Sequence, residues 1–266
     1  MSWIVRFLSA LALSLAFAGG APAQSASDEA ALKRAATRGA QIYAYDQAAW
    51  VTTDVMLKKL PDPGKAGIKG WVILPKGEGL TAIYYGEKDG APFAVFSGDV
   101  RGRKVVASKV FAPDDDRSLS SEAAALVRAT RAITVTDQRP CTRGAFNSVT
   151  LPPEGPDGPT LVYLLSPQVE ANIYPFGGHF LFEVGPDGKA PSVRGFTRSC
   201  LNMAAVDQGG RSVAGLFITH LLDQTPTEIH VWLSLWTGKT VYVGTTAPQR
   251  VWSVEGTKIT LIKTGP

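Results

Sequence analysis

Apolar and polar positions along this chain repeat with two different periods. Over residues 27–45 the apolar residues recur at helical spacing, with Ala31, Leu32, Ala35, Ala36, Gly39 and Ile42 on one stripe and Tyr43 and Tyr45 extending it toward Trp50. That is the pattern of an amphipathic helix, and Asp28 and Glu29 place acids in its first turn. The β-branched run Val51-Thr52-Thr53 predicts a break before residues 56–60 resume the helix, and Pro61-Asp62-Pro63-Gly64 ends it.

Past that stop the period shortens. Residues 70–74, 80–85, 92–96 and 104–111 read as strands, parted by turn chemistry at 75–79, 88–90 and 101–103. Connections that short imply an antiparallel meander. Ser118 or Ser120 then caps a second helix carrying Ala123, Leu126 and Ala129. In the second half, residues 146–151, 160–165, 178–184, 193–197, 240–244 and 251–262 are strand-like.

The stretch LFITHLLDQTPTEIHVWLSLW, residues 216–236, has two apolar runs rich in β-branched and aromatic residues around a polar break with Pro226. It reads as a hairpin pairing residues 216–222 with 228–236. About ten strands in meanders and hairpins, with two helices in the first half, predict an α+β fold of mainly antiparallel sheet. A helix-decorated β-sandwich is the alternative. The short loop at 112–117 argues for one domain over residues 24–266, with pseudo-halves of about 24–135 and 136–266.

Composition changes the picture at the N-terminus. Arg6 precedes an uncharged apolar run at 7–18, and Ala21 and Ala23 occupy the A-x-A positions before Gln24. Residues 1–23 therefore read as a cleaved signal peptide, the apolar run being shorter than the ~20 residues a spanning helix needs. The expected location is periplasmic or extracellular, with no transmembrane segment in the mature chain. Export also explains the two cysteines. Cys141 and Cys200 have no C-x-x-C spacing, and in an oxidising compartment a lone pair is most simply a structural disulfide; free thiols or a redox pair are the competing readings.

The formal net charge is +4 and the pI near 9.0, but the basic residues are scattered. The densest run, Arg101-Gly102-Arg103-Lys104, falls at a turn, so a nucleic-acid partner is not expected. There is no G-x-S-x-G elbow, phosphate loop or dinucleotide fingerprint, and no cofactor is called for.

Two constellations remain. His220 and His230 face each other if the hairpin centres on Thr225, with Glu228 on the same face and His179 within reach of a neighbouring hairpin. Opposed strand residues have Cβ atoms about 4.5–5.5 Å apart, close enough to share a metal. Ile218 and Trp232 on that face argue instead for neutral histidines in an apolar setting. The second constellation, Tyr43, Asp46, Trp50 and Asp54, sets aromatic rings beside carboxylates on a helix. That suits a sugar or a cationic ligand. It also suits rings packed on a sheet with acids in water, which is the preferred expectation because the helix is predicted to break at Val51. The functional expectation is a non-enzymatic binding or envelope-accessory module acting on an unknown small ligand or envelope partner. A metal-assisted hydrolase using His220 and His230 is the alternative.

Overall fold

A long helix organises the molecule. The computed structural model describes residues 25–190 and 192–265, so the signal peptide expected over 1–23 lies outside the described residues. Helix α1 (Ala26–Lys59) runs for 34 residues without a break. The hydroxyl of Ser25 caps it by accepting the Asp28 N–H. Its buried stripe is Leu32, Ala35, Gly39, Ile42, Tyr45, Ala49, Thr52 and Met56, at spacings of three and four.

The break expected at Val51-Thr52-Thr53 does not occur. Thr52 Oγ1 bonds back to the Ala48 and Ala49 carbonyls at 2.6 and 3.1 Å, and Thr53 Oγ1 to the Ala49 carbonyl at 2.8 Å. The Tyr84 hydroxyl joins both threonines and Ala49. The hydroxyls thus find partners inside the helix rather than competing with it.

Three four-stranded sheets and one two-stranded ribbon surround this helix. The first is the expected meander: β1 (Gly70–Lys76), β2 (Gly79–Lys88), β3 (Ala91–Arg101) and β4 (Lys104–Val110), antiparallel throughout. Helix α2 (Ser121–Ala132), capped by Ser120, buries Leu126 and Val127 against β1 and Ala129 toward the second sheet. That sheet is β5 (Asn147–Leu151), β6 (Thr160–Leu165), β8 (Phe180–Val184) and β9 (Ser192–Gly195), again antiparallel. β7 (Ile173–Pro175) and β10 (Asn202–Ala204) make the ribbon. The Cys141–Cys200 disulfide, with Cα atoms 5.1 Å apart, ties the chain ahead of β5 to the segment before β10.

The predicted hairpin at 216–236 is not there. β11 (Gly215–His220) leads through a loop into helix α3 (Glu228–Thr237), and the chain returns as β12 (Thr240–Thr246), which pairs parallel to β11. β13 (Gln249–Glu255) and β14 (Lys258–Thr264) complete a mixed sheet. The helix has good local reasons. Thr227 stands at its N-cap, with its N–H donating to His230 Nδ1 at 3.0 Å, and Gly238 closes it in the left-handed conformation at φ 63°. It is apolar nearly all round because it is sandwiched between α1 and the third sheet. Burial on both sides favours the same β-branched and aromatic residues as a strand, and that is what misled the pattern.

Among the described residues there are fourteen strands and three helices, against about ten and two expected, with the third helix in the second half. Of the twelve strand-like segments read from the sequence, 228–236 is helix α3, the short β7 and β10 are added, and 251–262 splits at a turn. Antiparallel pairing still dominates, so the α+β class holds. One continuous cluster of buried side chains joins α1, α3 and all three larger sheets.

Candidate functional site

Continuity of α1 through Val51 places Asp46 and Trp50 one turn apart on a single face. Their environments invert the expectation. Trp50 is 53% exposed, while Asp46 is half-buried. A cleft of about 230 Å³ opens between them, completed by Asn147 at the start of β5, Gln168 just after β6 and Trp236 near the end of α3. Trp236 is stacked on the buried Trp232, with centroids 4.6 Å apart, and Tyr174 braces it edge-on at 5.0 Å. The indole that meets the cleft is thus held rigid from behind.

The Asp46 carboxyl is pushed up to about 6 by burial, and Trp232 and Gln47 beside it pull it back only in part. Neither closes a hydrogen bond of good geometry: Trp232 Nε1 and both amide atoms of Gln47 are buried without a partner. None of the ion pairs among the described residues involves Asp46. The other two members of the predicted stripe lie apart. Tyr43 packs against the core, and Asp54 is exposed.

The histidines are also brought together, by a route the sequence did not suggest. His220 ends β11 and His230 lies in the first turn of α3, and their rings meet edge to face at 4.7 Å between centroids. His220 Nε2 donates to Asp223 Oδ2 at 2.7 Å, and Arg194 donates to the same oxygen at 2.6 Å. Burial would raise the Asp223 carboxyl, but the His220 bond and the Arg194 charge outweigh it and hold it below its usual range. His230 Nδ1 accepts the Thr227 N–H, and its ring is buried, which drives its pKa well below the ordinary value.

His179 does not join this pair as a ligand. Its Nδ1 accepts the Ser166 N–H at 3.2 Å and its Nε2–H donates to the Pro175 carbonyl at 3.0 Å, so both ring nitrogens hold backbone. Desolvation lowers it to about 4. The Gly177-Gly178 turn before it is a packing device, since a Cβ on Gly178 would meet Ser166 Oγ at 2.6 Å and Cys141 Sγ at 2.8 Å. Glu228 accepts from the Tyr163 hydroxyl at 3.0 Å. Among the described residues no group of three or more His, Cys, Asp or Glu side chains converges as a metal site.

A second cavity, of about 360 Å³, lies between the N-terminal half of α1 and the start of α3. Arg34, Arg38 and Arg194 line it together with Glu183, Asp223 and Glu228, so the charges balance. Arg38 and Arg194 are committed to Glu154 and Asp223.

Sequence reasoning found Asp46 and Trp50 but missed Trp236, Asn147 and Gln168. The Thr227 cap and the closing Gly238 are the signals that would have made α3 a helix and turned Trp236 toward α1. Nothing local marks Asn147 or Gln168, which reach the cleft through tertiary packing. The bonded cysteines, and the lack among the described residues of any helix long and apolar enough to cross a membrane, are compatible with an exported protein. Compared with known proteins, the sequence matches no family model and no curated protein, and the fold matches no solved structure.

Proposed function

We propose that this is an exported, non-enzymatic binding module that holds one ring of a saccharide between Trp50 and Trp236. The observation that carries this reading is an exposed indole and a braced one lining the same small cleft, whose other lining residues are a carboxylate and two primary amides. Indole faces stack on the apolar face of a sugar ring, and carboxylate and amide groups satisfy its hydroxyls. Glycoside hydrolysis ordinarily needs two carboxyl groups flanking the bond, about 5–10 Å apart. Among the described residues Asp46 is the one carboxylate lining the cleft, which favours binding over cleavage. Export rests on the segment 1–23 and the disulfide.

Tryptophan fluorescence and calorimetry with neutral oligosaccharides test the reading. Saturable binding weakened at least tenfold by Trp50→Ala is expected; no binding by any saccharide would overturn it.

The rival is a metal-assisted hydrolase at His220 and His230, favoured by the 4.7 Å ring pair. It must contend with His220 Nε2 and His230 Nδ1 being already engaged. Stoichiometric zinc binding that raises the melting temperature and is lost in His220→Ala would promote it.

A further inference from the structure

We propose that the bound sugar unit carries a protonated amine, which sits against the Asp46 carboxylate and the faces of Trp50 and Trp236. This rests on the saccharide reading and narrows it to amino sugars with a free amine.

Charge selects the occupant of the cleft. Among the described residues Asp46 is the sole titratable side chain lining the cleft; Trp50 from its own helix, Trp236 from α3, Asn147 from β5 and Gln168 from the loop after β6 are all neutral. What acts on its carboxyl is burial and the dipoles of Trp232 and Gln47, with no charged side chain among them. Elsewhere in the protein inward-facing acids are treated differently. Asp28 has Arg250 at 2.8 Å, and Asp223 has Arg194 at 2.6 Å.

A neutral ring entering the cleft would strip the remaining water from an unpaired carboxylate and leave it worse off. An ammonium group would supply the missing countercharge. It would also lie beside two indole rings, whose π-systems attract organic cations. The raised acidity range of Asp46 agrees with a carboxylate waiting for such a partner. The same features leave a carboxylate-bearing sugar disfavoured, since it would meet a like charge.

Three β-1,4-linked tetrasaccharides that differ at one position form the test: the tetramer of glucose, that of N-acetylglucosamine, and that of glucosamine. Their affinities are measured by calorimetry at pH 7 and pH 5 on the wild-type protein and on Asp46→Asn. The glucosamine tetramer is expected to bind at least tenfold more tightly than the two neutral tetramers at pH 7. Its advantage is expected to fall several-fold at pH 5, where the carboxyl is protonated although the amine holds its proton more fully. In Asp46→Asn, which keeps the shape of the side chain, the three affinities should come within about threefold of one another.

Proton counting on the wild-type protein removes dependence on the variant's folding. At pH 6, in buffers of different ionisation enthalpy, the amine-bearing tetramer should release protons from Asp46 in excess of those its own amine takes up, whereas a neutral tetramer that buries the carboxyl should take protons up. Equal binding of all three, or preference for a neutral one, would overturn the amine while leaving the saccharide reading intact. Failure of every tetramer to bind would overturn the saccharide reading itself. Amine preference that survives Asp46→Asn, or proton uptake with the amine-bearing tetramer, would overturn the role given to Asp46.

Discussion

His220 and His230 stand edge to face in the interior, 4.7 Å between ring centroids, with Asp223 bonded to the first and the Thr227 backbone to the second. An amide proton on Nδ1 leaves the His230 proton on Nε2, the neutral tautomer. Burial is the main reason that ring resists a second proton, and the neighbouring His220 adds to the resistance. His179, stacked edge-on against Trp232 at 5.1 Å, is neutral for the same principal reason.

A prediction about acid stability follows from these two rings. Their folded-state pKa values lie below the unfolded value of ~6.5, so the unfolded chain binds more protons and stability falls as the pH drops below ~6.5. For His179, at about 4, the loss by pH 4 is on the order of 3 kcal/mol. Urea unfolding at pH 7.5 and pH 4.5 should show a clear fall in midpoint, best seen in an Asp46→Asn background where an opposing carboxyl is absent. A flat profile in that background would mean that these rings are not buried as neutral bases.

Asp46 acts in the opposite direction. Its folded pKa, about 6, lies above the ordinary value of 3.8, so the folded state holds the proton more tightly and the carboxyl destabilises the fold above pH 6. The ceiling is about 3 kcal/mol, and the solvent reaching this half-buried group reduces it to about 1–2 kcal/mol. Asp46→Asn should therefore stabilise the unliganded protein at pH 7.5, with the gain shrinking to nothing near pH 4. Thermal melts of the two proteins across that range measure it, and a variant less stable at pH 7.5 would contradict the assignment.

Trp50 separates a ligand surface from a packing residue. At 53% exposure on a helix it contributes little burial, and alanine is the better helix former, so Trp50→Ala should change stability by less than about 1 kcal/mol. Trp232, 1% exposed beneath the cleft, should cost about 3–5 kcal/mol when cut to alanine. Denaturant melts of the pair provide the comparison. A loss above about 2 kcal/mol for Trp50→Ala would restore the packing role preferred from sequence.

What the sequence revealed and concealed follows from how far each signal reaches. The first meander was readable because its punctuation is local: Gly77, Asp89, Gly90 and Gly102 all take positive φ at the tips of its turns. The disulfide needed only the count and the export context. Helix α3 was concealed because a helix buried on both faces loses its polar stripe, and Ile229, Val231, Trp232 and Leu233 look the same in either periodicity. The helix start at Thr227 and stop at Gly238 were present and should have outweighed the β-branched content. The adjacency of His220 and His230 was anticipated with the wrong cause, since a strand end and a helix start bring them together instead of opposed strands. At Asp46 and Trp50 the stripe was right but its orientation was not, because a helix packed on sheets and on another helix has more than one buried face.

The last prediction concerns the crossing on which the cleft depends. Gly39 is where α1 and α3 touch: a Cβ built there would lie 2.5 Å from Val231 Cβ and 2.7 Å from the Glu228 carbonyl oxygen. Two of the closest atoms belong to a buried β-branched side chain and the third to backbone, so a rotamer change relieves little and the helices must part. Alanine regains about 1 kcal/mol of helix propensity over glycine, while overpacking a rigid contact costs about 1–3 kcal/mol and sometimes more. Gly39→Ala should thus destabilise the protein by about 1–2 kcal/mol net. Because Trp236 is carried by α3 and Trp50 by α1, parting the two should also weaken saccharide binding without touching a lining residue. Urea melts and tetrasaccharide affinities of Gly39→Ala measure both effects. A variant as stable as the wild type, with unaltered binding, would show that the crossing yields more easily than its geometry implies.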